Sequence, residues 1–86
     1  MLKLITYDLN SPGQDYNNLY GAIKNVGTWW HYLNNIWIIN TILTAKQISD
    51  RLNPLIDKND HIFIVSINKD YAGWLPRNAW NWLNSN

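Results

Sequence analysis

The 86-residue chain has no cysteine, no glutamate and a single methionine. Without cysteine it can form neither disulfides nor thiolate metal sites. Charge is sparse: seven Lys and Arg face six acids, all aspartate, for a formal charge of +1. That balance lacks the basic footprint of a dedicated duplex-DNA binder. Long apolar runs are missing as well. The longest, Ile36-Trp37-Ile38-Ile39 and Ile62-Phe63-Ile64-Val65, fall far short of a membrane span. Lys3 and Asp8 meet the N-terminal segment too early for the apolar core of a signal peptide. A soluble, cytoplasmic protein with no membrane partner is expected.

What is present describes a globular chain, since 47% of residues are hydrophobic and 14% aromatic. The length suits one domain near the lower limit for an unstapled core. Fourteen asparagines match the codon bias of an AT-rich genome and say little about function.

Periodicity sets out the elements. Leu2 to Leu9 is β-prone and stops at Asn10-Ser11-Pro12-Gly13. From Asp15 to Val26, the positions Tyr16, Leu19, Tyr20, Ile23 and Val26 step by three and four, as on an amphipathic helix. Gly27 stands where a left-handed turn commonly ends such a helix. Thr28 to Leu33 and Ile36 to Thr41 read as a hairpin whose Asn34-Asn35 turn tolerates positive φ. Thr44-Ala45-Lys46-Gln47 has capping-box spacing, with Ile48, Leu52, Leu55 and Ile56 behind it on one helical face. Pro54 ends or kinks that helix. His61 to Asn68 is a further strand, and Tyr71 to Leu83 reads as a loop and a short helix around Pro76.

The order predicts an α+β fold, a ferredoxin-like βαββαβ sandwich of residues 1–68 with an aromatic-rich tail over residues 69–86, all one domain. Such a sandwich leaves one sheet face open, and its strands should alternate apolar with polar. These do not: Leu2 and Leu4 oppose Ile5, Tyr7 and Leu9, while Ile36 and Ile38 oppose Trp37 and Ile39. Phe63, Val65 and Ile67 likewise oppose Ile62 and Ile64. Either the tail or a second copy must cover the second face, and an isologous homodimer is the favoured expectation.

Tyr7-Asp8-Leu9-Asn10, Pro12-Gly13-Gln14-Asp15-Tyr16, Leu19-Tyr20, Ile23-Lys24, Gly27, Trp29-Trp30-His31 and Trp37 together resemble a family of small prokaryotic and phage proteins labelled SinR-like. The biofilm repressor of the same name, a helix-turn-helix protein, has a different pattern. The likeness is densest over residues 5 to 41, with Trp74 and Trp82-Leu83 also matching. The family is similar, distantly, to the ferredoxin-like subunit of the CRISPR spacer-acquisition complex. That resemblance implies a homodimer whose first strands end in facing aspartates associated with metal-dependent nuclease activity; Asp8 is the matching position. It also implies a setting in phage defence or counter-defence. The arginine-containing stretch of the acquisition-type relatives is replaced here by Asn10-Ser11-Pro12-Gly13-Gln14-Asp15, which holds no positive charge.

Three kinds of chemistry follow. Asp8, paired across a dimer, would be both catalytic residue and ligand to Mg²⁺ or Mn²⁺; otherwise it caps the loop by accepting backbone N–H bonds. The Asn10–Gln14 loop before a helix could receive an anion, or is an ordinary tight turn. The aromatics are the most unusual feature, with six tryptophans and five tyrosines. On a strand, Trp30 and Tyr32 share one face, and Trp29 and His31 the other. One pair can be core and the other can meet a nucleobase or an interface. Arg77 is a candidate phosphate contact. The reading is a homodimeric, non-catalytic binder of nucleotides or short single-stranded nucleic acid that requires no cofactor. A phage protein sequestering a nucleotide immune signal would have that activity. The alternatives are a metal-dependent endoribonuclease using Asp8 and a protein-binding inhibitor module.

Overall fold

In a computed structural model covering residues 1–86, the β-branched and aromatic runs form four strands. These are β1 (Leu2–Asp8), β2 (Thr28–Leu33), β3 (Ile36–Asn40) and β4 (His61–Ile67). They pair antiparallel throughout, in the order β2-β3-β1-β4. Helices α1 (Asn17–Lys24) and α2 (Ala45–Leu52) connect strands, and α3 (Arg77–Ser85) follows the last one. This is a small α+β fold, compatible with a ferredoxin-like arrangement, in which the tail supplies an additional helix. No helix is long and apolar enough to cross a membrane.

Leu19 and Ile23 of α1, and Ile48 and Leu52 of α2, recur at four-residue spacing and so line one face of each helix. They pack on Ile5, Tyr7, Trp37 and Ile39 to form the larger core. Each buried aliphatic or aromatic side chain there contributes about 1.5–3 kcal/mol. The predicted capping box opens α2. Thr44 Oγ1 accepts from the Gln47 N–H at 3.1 Å, and Gln47 Oε1 accepts from the Thr44 N–H at 2.9 Å. Pro54 lies in a single 3₁₀ turn, Asn53–Leu55, that ends the helix.

The second sheet face is covered in part by the chain's own tail. Ala79 and Leu83 of α3 pack with Leu2, Trp30 and Ile38 into a second core. Lys69 Nζ donates to the Leu83 carbonyl at 2.6 Å, placing a cation at the C-terminal end of α3. Asn86 Nδ2 donates to the Trp82 carbonyl at 2.8 Å, and its Oδ1 accepts from Asn40 on β3 at 3.1 Å.

Two local expectations are corrected. The only positive φ in the chain belongs to Gly13, at 81°, so neither Gly27 nor the Asn34-Asn35 turn is left-handed. Gly27 is required for space: a Cβ there would lie 2.1 Å from the Asn40 carbonyl oxygen. The hairpin instead closes with an irregularity in β2, where Trp30 pairs with Ile38 but Leu33 with Ile36. His31 and Tyr32 together therefore oppose the single residue Trp37, as in a β-bulge. Element ends also shift, since β1 stops at Asp8 and α1 runs only from Asn17 to Lys24.

Candidate functional site

Trp37, on the central strand β3, organises an aromatic cluster on the face covered by the first two helices. Its indole N–H donates to the Tyr7 hydroxyl at 3.0 Å. Burial raises the Tyr7 pKa above its ordinary value, opposed by that Trp37 bond and assisted by neighbouring Tyr20. The His31 imidazole stacks on Trp37 at 3.7 Å between ring centres and 14° between planes. His31 Nε2 is also hydrogen-bonded to the Asn34 carbonyl at 2.9 Å. Trp29 leans on the same indole at 5.5 Å and remains 43% exposed. Over it lies the Lys24 ammonium, 5.0 Å from the ring centre. An edge strand thus presents an open indole, a neighbouring imidazole and one cation, a combination suited to a flat aromatic group bearing negative charge.

The strand alternation expected for Trp29, Trp30, His31 and Tyr32 is present, with Trp30 and Tyr32 rings 5.3 Å apart on the opposite face. Trp30 does not share the Trp29 site. It is 2% exposed beneath α3, and its N–H donates to the Ala79 carbonyl at 3.2 Å. It belongs to the second core and lines the groove on that face, apart from Trp29 and His31. Arg77 begins α3 and is exposed, also on the side of the sheet away from Trp29.

Asn10 and Gln14 lie in a third place, the β1–α1 loop. Asn10 N–H donates to Asp60 Oδ1 at 2.6 Å, and Asn10 Nδ2 donates to the Asp8 and Asn59 carbonyls at 3.3 and 3.1 Å. Gln14 N–H closes a turn onto the Ser11 carbonyl at 3.1 Å, and Asp15 Oδ1 accepts from Asn17 N–H at 2.9 Å. The Asn10 donors and the Gln14 N–H are therefore already used within the loop, which forms a tight turn between Ser11 and Gln14.

The carboxylate that organises this loop is Asp60, which sequence reasoning missed. It is 7% exposed, without a basic partner, and accepts from the Asn10 and Asp57 N–H groups and the Tyr16 hydroxyl. Burial works against its ionisation, but the Asn10 and Asp57 N–H bonds, the Tyr16 hydroxyl and nearby His61 outweigh it. Its pKa lies below the ordinary value of 3.8. Burial and the Asp60 carboxylate raise the Tyr16 pKa in turn, against the Ser11 N–H. Asp8, by contrast, caps nothing. It is exposed at the end of β1, directly across from His61 on β4. No group of three or more His or Asp side chains is placed to share a metal ion. One chain's donors therefore do not fit a hard divalent cation, which takes about six oxygen ligands.

A wider groove of about 580 Å³ lies between the second sheet face and the segment leading into α3. Leu4, Trp30, Leu33, Tyr71, Trp74 and Trp80 are among its mainly apolar lining. The aromatic tail pointed to this region, but its meeting with Leu4 and Leu33 depends on long-range pairing. Comparison with known proteins gave no match, either to a protein-family model or to a curated protein.

Proposed function

We propose that this protein is a small homodimeric, non-catalytic binder of a nucleotide or short single-stranded nucleic acid, built on a ferredoxin-like βαββαβ frame. The observation that supports this reading is the exposed Trp29 ring held beside His31 under the Lys24 ammonium. A base stacks on Trp29, and Lys24, held in place by the ring alone, turns to a phosphate. Base stacking contributes about 1–3 kcal/mol and needs little net charge, as this chain's +1 requires. Sequestration of a nucleotide signal, including by a phage protein, is the use that fits binding without turnover.

Titration calorimetry against linear and cyclic nucleotides and short single-stranded RNA tests the reading. Trp29→Ala is expected to weaken binding about 5- to 150-fold with the fold intact, and Lys24→Ala to weaken phosphate-bearing ligands only. Unchanged affinity in Trp29→Ala would remove the reading. RNA cleavage in Mn²⁺ that disappears with Asp8→Ala would replace it with the endoribonuclease alternative.

A further inference from the structure

Trp74 is fully exposed on the segment between β4 and α3, at the rim of the apolar groove. The sheet beside it is left uncovered by α3. Paired positions on antiparallel strands share a face, so Phe63 and Val65 of β4 lie on the same side as Thr6 and Leu4 of β1. Phe63 is 63% exposed and Val65 36%, and Leu33, at the far side of the groove, is 44% exposed. One surface thus carries both a projecting indole and an apolar groove. A two-fold contact needs that pairing, because each copy must offer what the other receives.

We infer that a second copy of this chain occupies this surface, the partner's Trp74 entering the groove of the first protomer and the reverse. The inference rests on the homodimer of the proposed function and gives it an interface. Area favours a second copy. At about 150–250 Å² per aromatic side chain, the exposed parts of Trp74, Phe63, Val65 and Leu33 come to roughly 500 Å². A stable dimer buries about 800 Å² per partner, a little over half of it apolar, which is the same quantity. Charge opposes the contact little, since Asp70 is the one charged residue of the groove lining, none of the four exposed apolar side chains is charged and the whole chain carries only +1. The chain's own α3 forms one wall of the groove through Trp80 and Leu83, held there by the Trp30 Nε1 bond to the Ala79 carbonyl and the Lys69 Nζ bond to the Leu83 carbonyl, and leaves the groove open. The groove is also within the roughly 300–1,000 Å³ range of sites that hold a group of indole size or larger.

Sedimentation equilibrium and native mass spectrometry of the whole chain and of Trp74→Ala test the interface. Circular dichroism accompanies them, because a fully exposed side chain can be removed without unfolding the protomer. The wild type is expected to dimerise, and Trp74→Ala to weaken the dimer at least about 30-fold with an unchanged spectrum, with Trp74→Phe between them. A dimer of equal strength in Trp74→Ala overturns the interface but leaves the homodimer standing. A wild-type monomer at every concentration overturns both, as does a monomer carrying the added mass of a small molecule. Nucleotide binding through Trp29 is read separately, on the other face of the sheet, so its failure is distinguishable from any of these.

Discussion

Asp60 illustrates how a single residue can hold two distant segments without a salt bridge. Its carboxylate collects the Asn10 N–H, the Tyr16 hydroxyl and the Asp57 N–H, joining the β1–α1 loop to the turn before β4. Buried carboxylates are tolerated when their oxygens are fully hydrogen-bonded, and here neutral donors suffice. Because its folded pKa is depressed, the sign of the pH effect is determined. Asp60 stabilises the protein above its unfolded pKa of about 3.9, and that contribution is lost as pH falls through the folded value. Urea denaturation of wild type and Asp60→Asn from neutral to acid pH checks this. The difference between the two should be largest near neutrality and shrink below about pH 4, whereas a difference independent of pH would refute the assignment.

The elements obey their local signals where those signals are self-contained. The Thr44–Gln47 capping box is one case, and the four-residue spacing of Leu19 and Ile23 is another. Glycines divide according to what surrounds them. Gly21 lies within α1 with nothing near its would-be Cβ, while Gly27 abuts the Asn40 backbone. Gly21→Ala should therefore stabilise by about 0.5–1 kcal/mol, through helix propensity and unfolded-state entropy. Gly27→Ala should destabilise by about 1–3 kcal/mol or more, because backbone must move to admit the methyl group. Thermal denaturation of the two variants should shift in opposite directions. Matching shifts would show that Gly27 does not approach Asn40 so closely.

At the scale of the whole molecule, low charge and abundant indole act together. A binder that neutralises one phosphate, through Lys24, should lose affinity only slowly with salt. On single strands the slope of log affinity against log salt is about −0.7 per phosphate neutralised. Affinity for a short oligonucleotide, measured over a range of salt concentrations, should give a slope near that value. A slope several times steeper would mean that Arg77, Lys69 or other cations engage the strand and that the binding surface extends beyond Trp29. On the proposed reading the two sheet faces serve different ends: one presents Trp29 and Lys24, and the other presents Trp74 and the groove.

Fold class and most elements were readable from the chain because they depend on spacing, caps and breakers within a few residues. Ile48 and Leu52, Thr44 and Gln47, and Pro54 all behave as their neighbours dictate. The apolar character of both faces was readable too, and with it the need for a cover on the second. Which segment provides that cover was decided only by folding, when α3 settled on Trp30 and Ile38. The same holds for the sites. That Trp29 and Trp30 point apart follows from strand geometry. That one remains open beside Lys24 while the other is enclosed depends on α3, which joins residues 49 positions apart in the Trp30–Ala79 bond. Asp60 went unnoticed because its donors Asn10 and Tyr16 lie 50 and 44 positions away. Local sequence carries short-range preferences, whereas burial and hydrogen-bond partners between distant residues exist only once the strands have paired.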